Sequence, residues 1–131
     1  MGEIKKGIFR LILGLLIAKS RYTEVMTQSN ENDGLKPLLE EAKDQKDLQA
    51  LEICRLFNID QSKAISPEMI KHEISKKDSE DSIEQLIIAN EELLKDLYQA
   101  ALMDNEMNAF ESFVLSNHLK TEEILLKKII S

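Results

Sequence analysis

Four stretches of this chain set apolar residues three and four positions apart over six turns or more, and nothing else in the sequence constrains the fold as strongly. The first runs over about 3–30, with a main stripe of Ile4, Ile8, Leu11, Leu15, Ala18, Tyr22 and Val25/Met26. The second runs over 35–58 through Leu38/Leu39, Ala42, Gln45, Gln49, Ile53 and Leu56. The third, 82–104, opens on a capping box in which Ser82 is followed three residues later by Gln85. Its face is Ile83, Leu86/Ile87, Asn90, Leu94, Leu97/Tyr98 and Ala101. The fourth, 106–130, sets Phe110, Phe113/Val114, Asn117, Thr121 and Ile124/Leu125 on its main stripe. Two Val and three Thr among 131 residues leave little material for strands.

Four rods of about 25 residues, each about 37 Å long, specify an all-α four-helix bundle in one domain, 1–131. Short connections, including "NENDG" at 30–34, make the first and second helices antiparallel, and likewise the third and fourth. The crossover at 59–78 carries its own short helix, with Ser66 as N-cap and Pro67 at the first helical position. A connection of that length can travel the whole bundle, so the second and third helices are expected to run parallel. An up-and-down bundle is the alternative.

A net charge of -7 with scattered basic pairs argues against nucleic acid as a partner. One cysteine, Cys54, leaves no internal disulfide and no multi-cysteine zinc site, and fits a small core or rim residue in a reducing cytoplasm. Lys5 and Lys6 before the apolar run Ile8–Ala18 resemble a secretory leader, but Arg10 interrupts the run and no small-x-small site follows. The run falls short of the roughly 20 residues a bilayer demands, so no membrane insertion is expected.

The "IANEELL" run of the third helix, the His118-centred "SNHLKTEEILL" of the fourth and the short crossover helix resemble ferritin-like proteins of the Dps type over a little under half of the chain. The resemblance implies a single-crossover bundle. It does not carry iron chemistry with it. Ferritin-like di-iron sites take Glu-x-x-His pairs, and none occurs here; the first two helices hold no histidine, and the first has no carboxylate on its core stripe. The cofactor expectation is therefore none, with iron or another divalent metal as the alternative, held by some of Glu52, Glu91, Glu111, His118 and Glu122.

Amides stand at mid-bundle instead. Gln45, Gln49, Asn90 and Asn117 are expected to form a buried polar layer that sets helix register, because an unpaired buried amide costs about 1–3 kcal/mol. His118-Leu119-Lys120 resembles the motif of histidine phosphotransfer domains, but its lysine is two residues on and so on another face. No glycine-rich phosphate loop is present. The remaining signal is apolar excess: Phe9, Leu13, Leu16 and Ile17 on the first helix, Leu119 and Leu126 on the fourth. These predict a homodimer or higher oligomer. The functional expectation is a non-catalytic, self-associating bundle. The alternatives are a metal-binding, stress-related protein and a signalling or adaptor bundle.

Overall fold

The computed structural model describes residues 2–28, 36–60, 83–103 and 106–130, with side chains at 7–27, 36–60, 84–103 and 106–130. Four helices make up the described chain: α1 (Gly2–Gln28), α2 (Lys36–Leu56), α3 (Ile83–Leu102) and α4 (Ala109–Ile130). Among the described residues there is no strand. The crossover beyond Asp60, including Ser66, Pro67 and His72, lies outside the described residues, as do the 30–34 turn and the Ser82 cap.

Each helix packs against two neighbours, α1 on α2 and α3, and α4 on α2 and α3; the α2–α4 seam is the loosest of the four. Contacts along three seams give the running directions. Where α1 meets α3, the Gly14 Cα faces Leu97 and Leu94 while Arg21 bonds Asn90, so the two are antiparallel. Between α3 and α4, Tyr98 meets His118 and Lys95 approaches Glu123. Between α2 and α4, Glu41 meets Lys128 and Glu52 meets His118. Both of these pairs are antiparallel too, which leaves α2 and α3 parallel, as the length of the crossover predicts.

Local signals set the ends. Asn58 takes φ 54°, a left-handed conformation that asparagine tolerates. Ile59 N–H then donates to Cys54 O and Asn58 N–H to Arg55 O, the paired bonds of a Schellman cap. The start of α4 falls at Ala109 rather than near 106, because Asn108 is its N-cap: Glu111 N–H donates to the Asn108 side chain, and Asn108 N–H to the Glu111 carboxylate.

The core runs through Ile8, Leu11, Ile12, Leu15, Leu16, Tyr22, Leu39, Ile53, Ile87, Leu94, Tyr98, Leu115 and Leu125. Two expectations are corrected here. Leu16 and Leu126 are buried within the chain's own fold rather than held out for a second copy, and Phe9, Leu13, Ile17 and Leu119 are half-buried. The reason is that α1 serves two neighbours at once, so an apolar arc too wide for one contact is absorbed by two. The other correction concerns α4, whose inward face is Leu115, His118, Glu122, Leu125, Leu126 and Ile129. Phe110, Phe113, Asn117 and Ile124, read from the sequence as its core stripe, point outward.

Candidate functional site: a charged layer at mid-bundle

One residue from each helix meets at a single level of the core. Tyr22 comes from α1, Lys46 from α2, Glu91 from α3 and Glu122 from α4, and none of the four has measurable exposure. The helices place them there because each sits in step with apolar neighbours: Ala18 before Tyr22, Ala42 and Ile53 around Lys46, Ile87 and Leu94 around Glu91, Leu115 and Leu125 around Glu122.

The Lys46 ammonium lies among four side-chain oxygens. It donates to Glu122 Oε1, to Gln45 Oε1 at 2.5 Å and, more weakly, to Gln49 Oε1 at 3.4 Å. Glu91 Oε1 stands 2.7 Å away as an ion pair, outside hydrogen-bond geometry. The other Glu91 oxygen accepts the Tyr22 hydroxyl at 2.5 Å.

Two carboxyls and one ammonium would leave the interior with an unbalanced negative charge, which a low-dielectric core resists. The imbalance is removed by a proton. Burial, first, and a hydrogen bond with Glu91, second, push the Glu122 carboxyl up to about 9, against the pull of Lys46. At neutral pH Glu122 therefore keeps its proton, and the layer carries one positive and one negative charge. Glu122 Oε2 and Glu91 Oε1 are buried without another hydrogen-bond partner, as is Gln49 Nε2, and the hydrogen bond between the two carboxyls uses that proton. Tyr22 is held well above 10 by burial and then by the charge of Glu91, so its hydroxyl stays a donor.

A second polar arm, about one to two helical turns along the bundle, leads to the surface. The Tyr98 hydroxyl lies 3.1 Å from His118 Nδ1, and His118 Nε2 lies 2.8 Å from Glu52 Oε1, whose side chain is about half exposed. The two rings meet edge to face at 5.7 Å. A neutral imidazole protonated at Nε2 satisfies both partners, accepting from Tyr98 and donating to Glu52. Burial lowers the His118 pKa, more than Glu52 raises it, which favours that neutral form. With both ring nitrogens engaged and the side chain buried, His118 does not offer the free nitrogen that a phosphoryl acceptor needs.

The residues expected from sequence divide accordingly. Gln49 and Asn90 are buried and Gln45 half-buried, whereas Asn117 is exposed. No amide layer forms from them: Asn90 accepts from Arg21 and donates to the Leu86 carbonyl. Of the metal candidates, Glu91 and Glu122 point inward around an ammonium, Glu52 and His118 pair with each other, and Glu111 caps α4. Among the described residues no group of three or more His, Cys, Asp or Glu is disposed to hold a metal ion. The donor set does not fit a divalent cation, because Lys46 already places a positive charge against both inward carboxyls. Lys46 is the residue that the sequence reading passed over. The signal was its position four residues after Ala42 and seven before Ile53, on the same face as both.

Among the described residues no helix is long and apolar enough to cross a membrane. No family model, curated protein or solved structure matches this chain.

Proposed function

We propose that this chain is a ferritin-like bundle in which a lysine ammonium stands where a metal ion would, and that it acts as a non-catalytic, self-associating helical module. The observation that carries the reading is Lys46, buried between Glu91 and Glu122 with Gln45 and Gln49 completing its oxygen shell. Oxygen-rich, acidic centres of this kind suit hard cations. Here the cation is covalently part of the chain. Charge balance is complete once Glu122 is protonated, so a divalent ion would have to displace the ammonium and remove the shared proton.

Titration of the purified protein with Mn(II) and Zn(II), followed by calorimetry and elemental analysis after desalting, tests this reading. The expected result is no stoichiometric binding and no rise in Tm. Stoichiometric binding that Glu91→Gln abolishes would overturn it. Sedimentation velocity over a concentration series tests self-association, and a monomer at every concentration would refute that part.

A further inference from the structure

The four seams of the bundle are not built alike. Helix α1 carries the buried run Ile8, Leu11, Ile12, Leu15 and Leu16 and packs on both α2 and α3. At Gly14 it lies so close to α3 that only a hydrogen separates its Cα from the Leu97 and Leu94 side chains. The α2–α4 seam is the loosest, and charge crosses it at three levels: Glu41 meets Lys128, Lys46 meets Glu122, and Glu52 meets His118. Glu41 and Glu52 lie three turns apart on one face of α2, at the outer edge of the seam, and both are about half exposed. Ion pairs this open to water hold little. Lys46 and Glu122, on the inner side, meet only after full dehydration. Parting α1 from either neighbour bares aliphatic side chains. Parting α2 from α4 lets water reach Lys46, Glu91, Glu122 and His118, all of them groups that gain from hydration.

We infer that the α2–α4 seam is the line along which this bundle opens, with the α1–α3 seam as the hinge, and that protonation of His118 drives the opening. Two helices pack against α4, and both face this ring. From α2 it meets the Glu52 carboxylate and the charge of Lys46, and from α3 the Tyr98 hydroxyl; Glu122 stands one turn along its own helix. The neutral ring satisfies Tyr98 and Glu52 together. A second ring proton would point at the Tyr98 hydroxyl, which is already the donor in that bond, and would add positive charge to a site that already holds the Lys46 ammonium. In the open form water takes up that charge. Opening and proton uptake are therefore linked. Below pH 6.5 the ratio of open to closed chain rises about tenfold per pH unit, until His118 is charged in the closed form as well.

Distances between paired nitroxide labels test this, in a Cys54→Ser chain diluted with unlabelled protein so that only pairs within one molecule are read. Leu48→Cys/Lys120→Cys spans the α2–α4 seam and Thr23→Cys/Ala89→Cys spans the hinge, all four positions being exposed. Between about pH 8 and about pH 5.5 the first pair should gain a component longer by roughly 10 Å, one helix diameter. The second pair and the far-ultraviolet circular dichroism should not change. His118→Gln should abolish the response to pH. An NMR titration of the His118 ring in the unsubstituted chain gives a check that needs no variant, because its proton uptake must track the long component over the same range. A first pair that keeps its distance overturns the inference. So does a second pair that lengthens along with the first, which is unfolding rather than opening. A pH response that survives in His118→Gln, or a ring that titrates apart from the long component, overturns His118 as the trigger.

Discussion

Helices α1 and α4 treat their apolar residues in opposite ways. On α1 nearly every large aliphatic side chain is drawn inward: Leu11, Ile12, Leu15 and Leu16 are all buried, and the polar contribution to the core is a single tyrosine hydroxyl. On α4 a histidine and a glutamate go inside while two phenylalanines and two isoleucines stay out. The two helices have the same surroundings in kind, each packed between α2 and α3. What separates them is the charge that faces them. The buried Lys46 on α2 needs a partner and α4 supplies Glu122, while His118 goes inside against Tyr98 and reaches the half-exposed Glu52. A helix turns its most hydrophobic face inward only when its neighbours present nothing that costs more to leave unpaired.

The largest effect that would break this comparison comes from the charged layer. Lys46→Ala removes the cation and strands Glu91 and Glu122 in the core. Loss of one partner from a buried ion pair costs about 3–5 kcal/mol. Urea unfolding should show a loss of that order. Replacing the set together, as in Lys46→Met/Glu91→Leu/Glu122→Leu, should recover most of the loss, since buried ionic groups exchanged for apolar ones of similar volume are often neutral or stabilising. If the triple variant is as unstable as the single one, the layer acts through packing and not through charge.

Next in size is the contrast between neighbouring positions of α4. Leu115→Ala opens the core at a fully buried site and should cost about 2–5 kcal/mol. Phe113→Ala, two residues away and largely exposed, should change the unfolding free energy of the monomer by less than about 0.5 kcal/mol. Equal losses would mean that the outward face is buried in the folded monomer after all.

The pH dependence sharpens the picture from both sides. Glu122 binds its proton more tightly when folded than the ordinary 4.5 of an unfolded glutamate. Its contribution to stability is therefore fully present below about 4.5 and is lost as pH rises toward about 9. His118 works in the opposite sense. Its folded pKa is depressed below 6.5, so its contribution is present above that pH and is lost as pH falls through 6.5 and toward the folded value. Glu122→Gln, a neutral mimic of the protonated acid, should flatten the alkaline limb of a Tm profile. His118→Asn should flatten part of the acid limb. An alkaline limb unchanged in Glu122→Gln would assign it to another group.

A modest effect is expected at Gly14, where an added Cβ would come within 2.9 Å of the Leu97 Cδ1 and 3.2 Å of the Leu94 Cδ2. Both atoms are the ends of flexible side chains, and alanine favours helix over glycine by about 1 kcal/mol. Gly14→Ala should accordingly shift Tm by only a few degrees, whereas Gly14→Leu should lower it far more by forcing α1 and α3 apart.

Much of the fold was legible before any coordinates. Periodicity marked four rods within a few residues of their ends, and the inward face of α3 follows the stripe Ile87, Asn90, Leu94, Tyr98 and Ala101 that hydropathy indicates. The parallel course of α2 and α3 follows from the length of the connection between them. On α4 the same reasoning picked the wrong side. A hydropathy scale counts His118 and Glu122 as surface residues and Phe110 and Phe113 as core, and it scores one helix at a time.

Sequence alone therefore determined that this protein is an acidic, all-helical bundle, because helix period and loop length are local properties of the chain. Tertiary structure decided what stands at its centre. Whether a lysine is buried depends on carboxyls 45 and 76 positions away, Glu91 and Glu122, and on the proton that balances them. Charge neutrality in a low-dielectric interior is settled among all four helices together.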